Sequence, residues 1–236
     1  MQLMQRTLRY TDNAYCTLYH LAYYFSKGPA DDQDKKRLLA FKNGEEHAQR
    51  YFILNTLDAL KKQEPAEDLV VLRALGSAEK AADDDRLSPL DRLGDSIALV
   101  YGCSYYPKIV TKHRATRPLK TLNLTARKEE LMGVYQVDSH FFNFNERPVM
   151  IIDDIVTTGA TAGAIIRSIV GSFPRARISV LSLAWTPAPA QQEFLLTHRR
   201  NESIINDPEH PYGWKTSYWQ DSDFLEAKTD VSVFSI

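Results

Sequence analysis

The sequence predicts an α/β fold, an open and mostly parallel sheet flanked by helices. Short apolar runs at Asp68-Leu-Val-Val-Leu-Arg-Ala74, Val149-Met-Ile-Ile-Asp153 and Ile178 to Trp185 read as buried parallel strands. Between them the apolar spacing becomes helical, at Leu93, Ile97 and Val100 and again at Ile165, Ile166, Ile169 and Val170. Strands alternating with helices give right-handed crossovers. In such sheets a ligand sits beyond the carboxyl ends of the strands.

Each element follows from local chemistry. Thr17 to Phe25 is rich in aromatic residues and ends before Lys27-Gly28-Pro29, which predicts a strand. From Asp31 to about Lys62 the spacing is helical, broken at Asn43-Gly44, where both residues tolerate a positive φ, so two helices are expected. Ser88-Pro-Leu-Asp91 supplies an N-cap serine, a proline at the first helical position and an acid at the third, which starts the next helix. Lys108-Ile-Val-Thr111 reads as a strand, and Thr161 to Val170 as the helix after the Val149 strand.

Bulk properties exclude several function classes. Lys and Arg total 29 against 30 Asp and Glu, so no net charge draws the chain to nucleic acid or to an anionic membrane. Cys16 and Cys103 are too few and too far apart for a zinc knuckle or a disulfide framework. No apolar run approaches the ~20 residues of a membrane span, and the first ten residues lack a signal-peptide core. The expectation is a cytoplasmic protein without membrane or nucleic-acid partners. The polar stretch from Glu79 to Asp85 reads as a surface loop.

The chemistry concentrates where the Val149 strand ends. Asp153 and Asp154 can each accept paired hydrogen bonds, which suits the neighbouring hydroxyls of a ribose. Thr157, Thr158 and Thr161 add hydroxyl donors, and Gly159 lets backbone N–H groups approach an anion with no Cβ in the way. The helix that follows contributes its unpaired N–H groups and the positive end of its dipole. A ribose clamp beside a phosphate cradle matches one sugar 5-phosphate. Two adjacent acids at a strand end repel each other and lose solvation, so helix capping alone does not explain them. A Walker A loop is excluded because no lysine follows the glycine before the helix.

The run Val149-Met-Ile-Ile-Asp-Asp-Ile-Val-Thr-Thr-Gly-Ala-Thr161 resembles the phosphoribosyl pyrophosphate (PRPP) motif of type I phosphoribosyltransferases. The resemblance implies that Asp153 and Asp154 hold the ribose hydroxyls and that Thr157, Thr158, Gly159, Ala160 and Thr161 hold the 5-phosphate. Lys112-His-Arg-Ala-Thr116, Leu122, Arg127, Gly133 and Tyr135 follow the spacing of ComF-type, competence-associated members, and Leu38 to Gly44 resembles the lysine-containing helix end that begins their domain. Leu119 and Glu130 stand where that family usually has glutamine and asparagine. The organisation this implies is an N-terminal cap over 1–35, a phosphoribosyltransferase-like core over 36–186 and a packed C-terminal extension over 187–236.

That resemblance further implies an enzyme, a pentosyltransferase that displaces pyrophosphate from PRPP with a nitrogen acceptor. Mg²⁺ arrives with PRPP, and no metal is held directly by the protein. Arg73, Ala74, Leu75, Gly76 and Ser77 stand where the family places a pyrophosphate loop, with their backbone N–H groups as the contacts. Lys112, Arg114, Arg117 and Lys120 cluster in the loop that closes over substrate, with Lys112 and Arg114 as the catalytic cations; His113 among them could move a proton. A homodimer is compatible with the resemblance. Two alternatives stand beside the enzyme: a PRPP- or nucleotide-binding regulator without catalysis, and a ComF-like accessory factor in DNA uptake. The aromatic stretch Pro211 to Trp219 could stack on a base or cover the site, but packing against the main domain explains it better.

Overall fold

The computed structural model describes residues 3–25, 32–63, 65, 68–82, 87–118, 122–138 and 142–202. Lys120, Leu119 and the Pro211 to Trp219 stretch lie outside the described residues. By its contacts the chain divides into two units, Met1–Gln192 and Glu193–Ile236. All the strands described here belong to the first.

The main sheet contains six strands: β1 (Met4–Arg9), β2 (Tyr15–Tyr23), β3 (Val70–Arg73), β4 (Ser104–Tyr105), β7 (Pro148–Val156) and β8 (Arg177–Trp185). Their spatial order is β1-β2-β8-β7-β3-β4. The β1–β2 hairpin is antiparallel, and every other pairing in this sheet is parallel. A separate antiparallel pair joins β5 (Val110–Lys112) to β6 (Tyr135–Val137). The segment expected as a cap thus supplies two strands to the sheet itself. Strand β1 is one the sequence did not announce; its exposed residues alternate with half-buried ones and the buried Leu8, so no apolar run marks it.

Helices cover both faces, as a parallel sheet requires. On one side, α1 (Gln33–Lys42), α2 (Glu46–Lys61) and α3 (Pro89–Tyr101) bury Phe41, Phe52, Leu93 and Ile97 against Val71, Ile152 and Leu181. On the other, α5 (Ala160–Ser172) buries Ile165, Ile166 and Ile169 against Val70, Ile151 and Val180. Alternate residues of β3, β7 and β8 therefore feed two cores, which accounts for their apolar sequences. Helix α4 (Leu124–Leu131) precedes β6, and α6 (Pro189–Glu202) follows β8. Among the described residues, no helix is long and apolar enough to cross a membrane.

Start signals act as their chemistry dictates. Asp32 caps α1 by accepting from the Asp34 and Lys35 N–H groups. Ser88 and Asp91 form a complete capping box at α3 with Pro89 at its start, and Gly102 ends that helix in the left-handed region.

Candidate functional site

Strand β7 pairs with β3 as far as Ile152 and with β8 as far as Val156, so its carboxyl end extends past β3 and is open on that side. Around Asp154 the ladder to β8 is relayed by a side chain. The Val156 N–H donates to Ser182 Oγ at 3.1 Å, and that hydroxyl donates to Ala184 O at 2.6 Å. Asp153 Oδ1 accepts from the Asp154 N–H at 2.9 Å, and Asp154 Oδ1 from the Ile155 N–H at 2.6 Å. Both acids thus fold back on the chain while still inside β7, which runs on to Val156 rather than ending at Asp153 as the sequence predicts.

The two acids part company beyond that point. Asp154 Oδ2 meets Lys42 Nζ at 2.8 Å, which ties the end of α1 to the strand. Asp153 instead lines a cavity with Arg127, Ile155, Val156, Thr157, Thr158, Gly159, Ala160, Thr161 and Ala162. Burial, and then the neighbouring Asp154 carboxylate, pushes the Asp153 carboxyl well above its ordinary range, while Lys42 pulls the other way. The cavity encloses about 40 Å³. At ~10–15 Å³ per water this is room for roughly three waters.

Helix α5 begins at this cavity. Gly159 occupies the N-cap with φ +73°, and no side chain caps the helix there, whereas Asp32, Ser88 and Asn123 each cap theirs. The first-turn N–H groups and the positive end of the helix dipole therefore point at the cavity. A Cβ at residue 159 would overlap Leu8 Cδ1 from β1. Glycine is thus favoured by the left-handed backbone, and any larger residue would also have to push the Leu8 side chain aside. Arg127, on α4, adds a guanidinium to the lining; its Nε donates to Leu122 O at 2.9 Å.

No family model matches the sequence, and no curated protein matches it. Among solved structures the fold is similar to a purine phosphoribosyltransferase from Pyrococcus horikoshii Ot3, at 16% identity over 58% of this chain and 73% of that one, with a TM-score of 0.34. It is also similar to a hypoxanthine phosphoribosyltransferase from Staphylococcus aureus, at 14% identity over 65% of each chain, again with a TM-score of 0.34.

The remaining residues singled out in the sequence take other positions. Arg73 is 1% exposed, its Nε donating to Asp91 Oδ1 at 2.5 Å and its Nη1 and Nη2 to the two Glu79 oxygens at 3.0 Å each. The Ala74 N–H donates to Ile152 O in the sheet, and the Gly76 N–H to Glu79 Oε2. Ser77 O accepts from both the N–H and the hydroxyl of Thr116. Lys112 is buried, and its ammonium donates to Leu75 O at 3.2 Å and Gly76 O at 2.6 Å, so it holds the loop after β3 from beneath. Burial pushes Lys112 down to about 8, partly offset by Glu79.

Arg114 and Arg117 converge on one carboxylate. Glu130 accepts from Arg114 Nη1 at 2.6 Å, from Arg117 Nε at 2.9 Å and from the Arg117 N–H at 3.0 Å. These donors, Arg114 foremost, hold the Glu130 carboxyl down at about 2. The acid found where the resembling family has asparagine is therefore the group that engages both arginines. His113 is exposed on the same segment.

Three contacts escaped the sequence reading. Lys42 belongs to the Leu38 to Gly44 run that carried part of the resemblance, but nothing local tied it to Asp154. Glu79 lay in a polar stretch that reads as surface. Arg127 was placed by spacing alone, and its position on the cavity depends on how α4 packs beside α5.

Proposed function

We propose that this chain binds the 5-phosphoribosyl group of PRPP at the carboxyl end of β7 and transfers it to a nitrogen acceptor, a nucleobase or an amine, with release of pyrophosphate. The observation that carries this reading is a cavity that joins Asp153 to the uncapped loop Thr157–Thr161. Thr157, Thr158 and the backbone from Gly159 to Thr161 receive the 5-phosphate, with Arg127 balancing its charge. Asp153 accepts from the ribose hydroxyls. Asp154, positioned by Lys42, completes the clamp once the sugar is seated.

In the transfer, the bond from C1 to the diphosphate oxygen breaks, a bond from C1 to nitrogen forms, and the nitrogen loses its proton. Mg²⁺ enters as part of the substrate, bound to the diphosphate. The protein's share is positioning, together with negative charge from Asp153 and Asp154 near a ribose that becomes cationic at C1.

A second reading, a PRPP-binding regulator without catalysis, draws on one specific observation. Arg114 and Arg117, the cations expected at the leaving group, are paired to Glu130.

Calorimetry with Mg²⁺ and PRPP tests the shared step. The wild-type chain should bind, and Asp153→Asn with Asp154→Asn should weaken binding at least ~10-fold, about 1.4 kcal/mol. The fold should survive by circular dichroism. Binding that survives the double substitution removes the ribose assignment. A panel of bases and amines then separates the two readings, since only the enzyme releases pyrophosphate.

A further inference from the structure

The loop after β3 already contains an anion. Glu79 presents its carboxylate to the Arg73 guanidinium through two parallel hydrogen bonds of 3.0 Å and accepts the Gly76 N–H through Oε2. Its own N–H turns back to Gly76 O at 3.1 Å, which closes the loop on itself. A Cβ at residue 76 would sit 3.0 Å from Glu79 Oε2, so glycine here permits the close approach of an anion. Lys112 Nζ lies under the same loop on the Leu75 and Gly76 carbonyls.

The donor set is that of a diphosphate site: a guanidinium fork, a glycine N–H and a nearby ammonium. Its location fits as well. Arg73 pairs with Ile152 in the parallel β3–β7 register, and the Ala74 N–H donates to Ile152 O, so the loop leaves the sheet beside Asp153. Neighbouring strands lie ~4.8 Å apart, a distance that a group on C1 of a bound ribose can cross. Arg73 is fully buried and also donates to Asp91. Glu79 is the more accessible partner, its side chain 32% exposed against 1% for Arg73.

We infer that the Glu79 carboxylate is an internal stand-in for a ligand diphosphate: the chain takes a sugar 5-phosphate through the β7 cavity, and the diphosphate of PRPP gains the Arg73–Gly76 seat only when Glu79 is displaced. The sugar-phosphate part rests on the function proposed above. The diphosphate part rests on the loop alone. Competition for the same donors makes the carboxylate a gate on PRPP, one that a ligand lacking the diphosphate does not meet.

The test is calorimetry on the full chain with three probes, each with Mg²⁺: PRPP, ribose 5-phosphate and inorganic pyrophosphate. Wild-type protein should bind PRPP and ribose 5-phosphate within about threefold of each other and give no heat with pyrophosphate. Glu79→Ala should tighten PRPP about 10-fold or more, leave ribose 5-phosphate unchanged and create a pyrophosphate site. Glu79→Gln keeps the side chain's shape while removing its charge; it should move the same way by a smaller factor and serves if the alanine variant does not fold. Wild-type affinity for PRPP more than about 10-fold above that for ribose 5-phosphate overturns the inference. So does a pair of variants that gain neither PRPP nor pyrophosphate binding. If neither sugar phosphate binds any of the proteins, the cavity assignment falls, and the gain or absence of pyrophosphate binding in the variants still decides the role of Glu79.

Discussion

Gly159→Ala should damage the fold and the candidate site together, and the size of the effect can be worked from two contributions. At φ +73° an alanine pays the left-handed penalty of about 1–2 kcal/mol. Its methyl also overlaps Leu8 Cδ1, a side chain that is 7% exposed and held in the main core, and such overpacking costs about 1–3 kcal/mol. The expected destabilisation is therefore about 2–5 kcal/mol, a large part of the ~5–15 kcal/mol typical of a folded domain. Leu8→Ala alone leaves a cavity and should cost about 2–5 kcal/mol. In the double variant the overlap is relieved and the backbone penalty stays, so the two losses should fall short of additive by about 1–3 kcal/mol. Urea unfolding of the four proteins, followed by tryptophan fluorescence, measures every corner of this cycle. A Gly159→Ala variant within about 0.5 kcal/mol of wild type, or a cycle that closes additively, would refute the argument that β1 locks the loop.

Lys42→Met should leave stability within ~1 kcal/mol, because the Lys42–Asp154 pair is partly exposed and screened. The same change removes the cation that lowers the Asp153 carboxyl, so the pH midpoint for ribose 5-phosphate binding should move upward, read by calorimetry from pH 6 to 9. An unchanged midpoint would show that Lys42 does not act on Asp153. Lys112 binds its proton less tightly when folded, at about 8 against 10.5 in the free side chain. Between those values the unfolded chain holds more protons, so stability should rise with pH by on the order of 2 kcal/mol relative to Lys112→Met. Chemical denaturation from pH 7.5 to 10.5 measures it, and parallel curves for the two proteins would contradict the burial argument. Glu130 runs the opposite way: its carboxyl is held at about 2, so its stabilising share is complete above the ordinary glutamate value and fades as pH falls toward 2. Glu130→Gln should flatten the acid limb of the stability curve over that window.

Local rules determined much of this chain. Both helices between Asp31 and Lys62, the capped start at Ser88 and the strands at β3, β7 and β8 follow from periodicity, turn chemistry and the demand that a doubly buried strand be apolar. The strand-to-helix junction at Gly159 was equally legible, because a glycine accepts the left-handed backbone that starts α5. Strands β1, β4 and β6 were not legible. They are short or half-exposed, and their pairing rests on partners distant in the sequence.

Side-chain partners were decided by tertiary structure alone. Whether a basic residue near the site faces a ligand depends on which acid lies within about 3 Å of it, and ion pairs form between elements that only packing brings together. Arg114 and Arg117 meet Glu130, Lys42 meets Asp154, and Arg73 meets Asp91 and Glu79. Sequence specified the backbone of this junction because backbone conformation answers to neighbours along the chain. The disposition of charge around it answers to neighbours in space, and those exist only once the sheet has formed.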